Sequence, residues 1–159
     1  MIDNQILNML KRHEGCRLVA YLDTLGYLTV GVGHLVCKRT ENIIGRKLEL
    51  DAPITQDECN KLLDCDVASA LKELGRYPYF QNLSFERRCA CISLMFNLGA
   101  PKYSGFVNFN KSMSDEDYLT ASQELLNSRW ASQVKSRAIE IAQIIRTGVN
   151  FVAQSAIDA

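Results

Sequence analysis

The sequence lacks an excess of charge of either sign. Its 159 residues include 18 basic and 18 acidic side chains, so the formal net charge at pH 7 is zero. Net charge is what attracts a protein over long range to nucleic acid or to an anionic membrane surface. We therefore expect no nucleic-acid partner, and any anionic ligand must be held by local groups.

Long apolar runs are also missing. No stretch approaches the roughly 18 uninterrupted apolar residues of a membrane span. The opening residues MIDNQILNMLKRHEG carry polar and charged groups where a signal peptide has its apolar segment. We expect synthesis in a cytoplasm and no membrane insertion. With 47% hydrophobic and 23% charged residues, the composition is typical of one globular domain or of two closely packed lobes.

Zinc-type cysteine spacing is absent as well. No pair of the six cysteines has the C-x-x-C spacing of a zinc site or a redox motif, so we expect no metal. Four of the six lie in or beside predicted helices, where a free cysteine behaves as a small buried hydrophobe. We predict reduced, buried thiols. The six are Cys16, Cys37, Cys59, Cys65, Cys89 and Cys91.

The first third of the chain predicts a helix and then a β-hairpin. Asp3 is placed to cap a helix whose apolar residues share one face, and Gly15 is placed to end it. From Arg17 to Val32 apolar residues alternate along the chain, and turn-forming residues interrupt the alternation at 23–26. Residues 37–53 show no clear period, and we expect a loop there with no more than a short strand or turn.

The remainder of the chain predicts helices. Thr55 and Glu58 have the spacing of a capping box, and an apolar stripe continues from there to Gly75. Further helices are expected from Ser84 to Gly99, from a capping box of Ser114 with Asp117 to about Asn127, up to Gly148, and at Phe151. The fold class is therefore α+β, with the small antiparallel sheet and the helices segregated along the chain.

One stretch of sequence carries the candidate chemistry. EGCRLVAYLDTLGYLTVGVGH, from Glu14 to His34, places one carboxylate at a helix end and a second, Asp23, in the hairpin turn. A chain that turns back in this way can hold two carboxylates across a groove. Glycoside hydrolysis requires such a pair, one protonated and one ionised. Each placement is common on protein surfaces, so the spacing alone is weak evidence.

The complete string is more specific. It resembles the catalytic segment of the phage-type lysozymes, glycoside hydrolase family 24, which includes the endolysins of T-even coliphages. The family pattern is E-G-x-R-x-x-x-Y-x-D-T-x-G-x-x-T-x-G-x-G-H, and every fixed position is present. These positions are Glu14, Gly15, Arg17, Tyr21, Asp23, Thr24, Gly26, Thr29, Gly31, Gly33 and His34. The resemblance continues through later segments and covers nearly the whole chain.

The resemblance implies roles for several side chains. Glu14 would protonate the glycosidic oxygen, Asp23 would activate water as general base, and the Thr29 hydroxyl would help to hold that water. The family inverts the anomeric configuration. Two supporting pairs are also implied: a salt bridge between His34 and Asp66, and an ion pair between Glu14 and Arg137.

Substrate contacts are implied for five further residues: Leu35, Phe96, Asn97, Phe109 and Glu124. Two of them depart from the T-even endolysin, which has serine where this chain has Phe109 and asparagine where it has Glu124. A third departure is global, because that endolysin is strongly basic and this chain is neutral. The first two departures concern contacts with the distal sugars, and the third concerns adsorption to an anionic cell wall.

The resemblance also implies an architecture. We expect a mostly helical, two-lobed lysozyme fold with a cleft between its lobes. Residues 12–66 would form the small catalytic lobe that contains the sheet, and residues 67–159 together with residues 1–11 would form the helical lobe. The chain would act as a monomer on a peptidoglycan glycan strand in the periplasm. It would leave the host cytoplasm through a pore made by a separate protein, and host lysis would follow.

The glycines of the motif do not predict a nucleotide site. G-V-G-H lacks the third glycine and the following helix of a dinucleotide-binding loop, so we expect no cofactor. We expect Gly31 and Gly33 to allow a sugar chain or a neighbouring backbone to approach closely.

Two other functions remain open at this point. A lytic transglycosylase needs only the acid and closes an anhydro product, and the presence of Asp23 and Thr29 favours hydrolysis over this reaction. A non-catalytic glycan-binding domain with the same fold is the other alternative, because a fold does not guarantee chemistry.

Overall fold

The computed structural model describes residues 3–150. Two compact units divide the chain between Ser69 and Ala70. The first contains one helix, a three-stranded sheet, a short helix and most of a long helix, whereas the second is helical. The α+β class is therefore confirmed. The assignment of residues 1–11 to the helical lobe stays a prediction.

The first helix, α1, spans Asn4–Glu14 as predicted. It begins where the Asp3 carboxylate accepts the backbone N–H of Gln5 at 2.7 Å, which satisfies a donor at the helix start. It ends at Gly15, whose φ of +74° is a left-handed conformation that glycine adopts at little cost. The helix end thus places Glu14 next to the sheet that follows.

The predicted hairpin is present within a three-stranded antiparallel sheet. β1 spans Arg17–Leu22, β2 spans Leu28–Gly31 and β3 spans His34–Leu35, in the order β1-β2-β3. Tyr21 pairs with Thr29, and Val30 pairs with His34. The register shifts between Arg17 and Tyr21, so β1 is irregular over its first half.

The expected loop at residues 37–53 is wrong in part, because a helix, α2, spans Lys38–Ile44. The Thr40 hydroxyl accepts the N–H of Cys37 at 2.9 Å and holds the first turn in place. Gly45, with φ of +79°, ends the helix. Seven residues make only two turns, and such a short segment shows no repeating apolar stripe from which a helix could be predicted.

The long helix, α3, spans Gln56–Leu74 and begins at the predicted capping box. The Glu58 carboxylate accepts the N–H of Thr55 at 2.9 Å, and the Thr55 hydroxyl accepts the N–H of Glu58 at 3.1 Å. Arg46 adds a two-pronged ion pair, with nitrogen–oxygen distances of 2.5 and 2.9 Å to Glu58. These contacts lower the pKa of Glu58 to about 2, with the Arg46 hydrogen bond as the largest cause.

The lowered pKa of Glu58 predicts an acid-sensitive contribution to stability. An unfolded Glu58 binds its proton near pH 4.5 and the folded one near pH 2, so the contribution is complete above about pH 5 and disappears as pH falls towards 2. Glu58→Gln keeps the oxygen that caps Thr55 and removes the charge. We expect its thermal midpoint to lie about 2 to 4 °C below wild type at pH 6, because solvent screens an exposed pair. The deficit in thermal midpoint should shrink at pH 2.5. A deficit of the same size at pH 6 and pH 2.5 would contradict the lowered pKa of Glu58.

The second unit is built from short helices after a 3₁₀ turn at Pro78–Asn82. They are α4 Phe85–Leu98, α5 Ala100–Gly105, α6 Val107–Ser114, α7 Tyr118–Leu126, α8 Arg129–Val134 and α9 Ser136–Thr147. α9 packs against α4, α7 and α8, and α7 also packs against α6. Leu94, Tyr103, Leu125, Ile141 and Ile145 are completely buried and form the centre of this unit.

Most predicted helix boundaries are confirmed here, with one correction. Ser84 caps α4, and Gly148 ends α9. The capping box at Ser114 is wrong: Ser114 is the last residue of α6, and α7 is capped by Asp117, which accepts the N–H of Thr120 at 3.1 Å. Serine and aspartate both cap helices well, so the residue type alone does not decide whether Ser114 or Asp117 caps α7. The packing of α6 against α7 decides it. The helix expected at Phe151 lies outside the described residues.

The cysteine prediction holds only in part. Cys59, Cys89 and Cys91 are buried and all six thiols are free, but Cys16 and Cys37 are exposed. Both exposed residues lie just outside an element, Cys16 between α1 and β1 and Cys37 before α2. Within residues 3–150 no helix combines the length and apolar character needed to cross a membrane.

Candidate functional site

Glu14 is the last residue of α1, and its side chain lies against the turn between β2 and β3. A methyl group added at Gly33 would come within 3.2 Å of the Glu14 carboxylate oxygen Oε2. Gly33 also has a φ of +62°. A side chain at position 33 would therefore be strained at this φ and would press against the carboxylate, so glycine favours the close approach of Glu14.

The close approach predicted at both motif glycines is present, but different groups make it. The nearest protein groups are side chains: the Glu14 side chain packs over Gly33, and the Cys59 Sγ would be 3.1 Å from a methyl group at Gly31. Approach of a sugar chain stays a prediction. The glycines thus allow α1 and α3 to bring side chains onto the sheet.

Asp23 is fixed by the hairpin turn that it begins. Its Oδ1 accepts the backbone N–H of Leu25 at 2.9 Å and that of Tyr27 at 2.8 Å. The Asp23 N–H in turn donates to the Tyr27 carbonyl at 2.9 Å. Among residues 3–150, no described hydrogen bond uses Oδ2, so one carboxylate oxygen is anchored and the other is available to a ligand or a water.

Thr29 is held by the same residue as Asp23. Its hydroxyl donates to the Tyr27 carbonyl at 2.9 Å, and the residue is only 4% exposed. A hydroxyl whose proton is committed in this way presents its lone pairs to any further partner, so towards water it acts as an acceptor. Tyr27 therefore links the carboxylate of Asp23 and the hydroxyl of Thr29 through one stretch of backbone.

His34 and Asp66 form the pair that the family resemblance implied. His34 Nδ1 lies 2.7 Å from Asp66 Oδ2, and His34 Nε2 lies 2.8 Å from the Thr40 hydroxyl. The His34 side chain is 6% exposed and that of Asp66 is 23% exposed. Both ring nitrogens thus have partners in a buried setting, which ties β3 to α2 and α3.

This pairing predicts a loss of stability on truncation of Asp66. Asp66→Ala removes the acceptor and leaves the Nδ1 side of a buried imidazole without a partner, so we expect the free energy of unfolding in urea to fall by about 1 to 3 kcal/mol. Asp64→Ala is the matched control, because Asp64 is exposed on the same helix. An equal fall in the free energy of unfolding of the two variants would show that the contact of Asp66 with His34 contributes nothing to stability.

The five predicted substrate contacts are divided between the two units. Leu35 is 55% exposed on β3 in the first unit. In the second unit, the side-chain oxygen of Asn97 accepts a hydrogen bond from the Trp130 indole at 2.7 Å, and the neighbouring Phe96 is half-buried. Asn97 therefore already has a protein partner for its oxygen, and its amide nitrogen is the group that remains to contact a sugar.

Phe109 and Glu124 lie at one cavity of the second unit. The cavity has a volume of about 330 Å³, and it is lined by residues 105–109 together with Glu124, Asn127 and Ser128. Phe109 is 1% exposed and packs edge-on against Tyr103, with 6.0 Å between ring centroids. It therefore serves mainly as core, whereas Glu124 is half-buried at the cavity wall. Binding of substrate by these two residues stays a prediction, as does the ion pair of Arg137 with Glu14.

Two residues of the site were not predicted from the sequence. Thr40, the second partner of His34, lies in the unpredicted helix α2, and Tyr27 acts through its backbone groups alone. A backbone contact leaves no signal in side-chain type, but a threonine six residues after the histidine was visible as a candidate partner. In the described part of the chain, no group of three or more His, Cys, Asp or Glu side chains could hold a metal ion.

Comparison with known proteins matches most of the chain to one family. Residues 11–143 match the family described as phage lysozyme. The chain is 30% identical to a probable T4-type lysozyme 1 of Dictyostelium discoideum, across 91% of this chain and 95% of that protein. It is 36% identical to an endolysin of Salmonella phage P22, across 65% of this chain and 67% of that protein. It is 30% identical to the pre-baseplate central spike protein Gp5 of Enterobacteria phage T4, across 88% of this chain and 27% of that protein.

Proposed function

The chain belongs to the phage lysozyme family, and we propose that it hydrolyses the β-1,4 bond between N-acetylmuramic acid and N-acetylglucosamine in bacterial peptidoglycan. It is a glycoside hydrolase of the lysozyme type. The observation that carries the proposed mechanism is the double attachment to Tyr27, which holds the Asp23 carboxylate and the Thr29 hydroxyl at one end of the hairpin.

Glu14 is the general acid in this proposal. Its protonated carboxyl donates to the glycosidic oxygen as the bond to the anomeric carbon breaks, so the leaving sugar departs as a neutral alcohol. Packing of the side chain over Gly33 limits where the carboxyl can point. A fixed proton donor contributes through orientation as well as through acidity.

Asp23 and Thr29 prepare the nucleophile. A water that donates one proton to Asp23 Oδ2 and the other to the Thr29 oxygen has a lone pair directed away from both groups. That lone pair attacks the anomeric carbon, and Asp23 takes the proton that the water loses. Attack from the face opposite to the leaving group inverts the anomeric configuration, and this geometry needs the two carboxyl groups about 6.5 to 9.5 Å apart.

The glycan strand is the only substrate that this proposal requires. The exposed Leu35 offers an apolar surface beside the sheet, and Glu124 offers a carboxylate at the cavity of the second unit. We propose further that the chain acts as a monomer on the cell wall, that a separate pore-forming protein releases it from the host cytoplasm, and that host lysis follows. The family membership supports these steps, and they are independent of the mechanism.

The experiment that tests the function is digestion of purified Gram-negative sacculi, followed by mass spectrometry of the soluble products. Hydrolysis adds one water per bond and leaves a reducing N-acetylmuramic acid, initially as the α-anomer. Products that lack this water and carry 1,6-anhydro ends would identify a lytic transglycosylase instead. Binding to sacculi without soluble products would identify a non-catalytic glycan-binding domain.

A further inference from the structure

Two cysteines far apart in sequence meet in the first unit. The Sγ atoms of Cys16 and Cys59 lie 3.5 Å apart, although the residues are separated by 43 positions. Cys16 is exposed in the segment between α1 and β1, and Cys59 is completely buried in the first turn of α3. The contact therefore joins an exposed cysteine to one that is shielded from solvent.

This arrangement is close to that of a disulfide. A sulfur–sulfur bond is about 2.05 Å long, so a movement of about 1.5 Å, shared between two side chains, closes the remaining gap. We propose that Cys16 and Cys59 form a reversible disulfide that joins the end of α1 to the start of α3 and braces the segment that carries Glu14. The proposal does not depend on the glycosidase activity.

The oxidant would be a small-molecule disulfide, R–S–S–R, and the reaction would take place by two exchanges. The Cys16 thiolate attacks one sulfur of the reagent, which forms a Cys16–S–S–R mixed disulfide and releases R–S⁻. The Cys59 thiol then loses its proton to solvent, and its sulfur attacks Cys16 Sγ and releases the second R–S⁻. Two protein thiols are oxidised and one reagent disulfide is reduced to two thiols.

The second exchange is the slow one. In the reduced protein, burial and then the neighbouring Cys16 thiol raise the pKa of Cys59 to about 11. Burial is the larger cause and persists in the mixed disulfide, so little of Cys59 is ionised near neutral pH. Below that pKa the thiolate fraction rises tenfold with each pH unit. We therefore expect decay of the isolated mixed disulfide to accelerate about tenfold per pH unit between pH 7 and pH 9.

The disulfide would stabilise the fold chiefly by restricting the unfolded chain. It closes a loop between positions 16 and 59 and so removes conformations that are available only to the unfolded state. It also fixes α3 beside Gly31, where the Cys59 sulfur already touches the sheet. We expect the thermal midpoint of the oxidised protein to exceed that of the reduced protein by about 5 to 10 °C.

The test uses the full chain, reduced and then incubated with oxidised glutathione. Wild-type protein should keep no glutathione on Cys16, although the exposed Cys37 can keep one, and peptide mapping should recover a crosslink between the Cys16 and Cys59 peptides. Cys59→Ser should stop at a stable glutathione adduct on Cys16. Cys37→Ser is the matched control, because Cys37 is also exposed, and it should crosslink as the wild type does.

Three results would overturn the proposal. Wild-type protein that stops at the Cys16 adduct would show that Cys59 cannot reach it, and a crosslink to a different cysteine would show another pairing. A Cys16–Cys59 crosslink that leaves the midpoint unchanged would show that it does not brace the native fold. Cys16→Ser provides a second variant at an exposed position, and it should show neither the crosslink nor the rise in midpoint.

Discussion

Replacement of Glu14 by glutamine is expected to reduce the rate of peptidoglycan hydrolysis by about 10² to 10⁴, because a carboxamide has no proton to give to the glycosidic oxygen. Glutamine has nearly the shape of glutamate and fits over Gly33 in the same way. The fold should therefore persist, with a thermal midpoint that holds or rises. The measurement is the initial release of soluble fragments from purified sacculi, together with the thermal midpoint of each protein.

The control for this variant is Glu41→Gln. Glu41 is an exposed glutamate in the first turn of α2, so its replacement makes the same chemical change away from the proposed site. We expect the control to retain its hydrolytic rate within about twofold. A Glu14→Gln protein that keeps more than about a tenth of the wild-type rate would contradict the acid role.

Replacement of Asp23 by asparagine is expected to cause a loss of similar size, about 10² to 10⁴, because an amide cannot accept the proton of the attacking water. The turn should survive the change. The amide oxygen can still accept the N–H groups of Leu25 and Tyr27, which are the contacts that hold the side chain. Activity should therefore fall while the free energy of unfolding stays within about 1 kcal/mol of wild type.

The matched control for this variant is Asp3→Asn. Asp3 also accepts a backbone N–H through its carboxylate, at the start of α1, and asparagine is an equally good cap. It should be fully active. A fully active Asp23→Asn protein would remove the general base from the mechanism and favour the transglycosylase, which needs no attacking water. Analysis of the products for anhydro ends would then decide between the two reactions.

The sequence alone determined those elements whose signals are local. Asp3 and Gly15 bound α1, Thr55 and Glu58 begin α3, and the turn formers after Asp23 close the hairpin. In each case the residue that carries the signal either hydrogen-bonds to a residue no more than four positions away or itself adopts the backbone conformation that ends the element. The motif also indicated Glu14, Asp23 and Thr29 as candidates, since residue types at fixed spacing are a property of the sequence.

The tertiary structure decided what depends on contacts between distant positions. The two-turn helix α2 has too few residues to show a period, and Thr40 becomes the partner of His34 only because that helix folds back beside β3. Packing likewise placed the Glu14 carboxylate on Gly33 and the sulfur of Cys16 beside that of Cys59. Such contacts join residues whose separation along the chain carries no information about distance, so only the folded arrangement of α1, α3 and the sheet determines them.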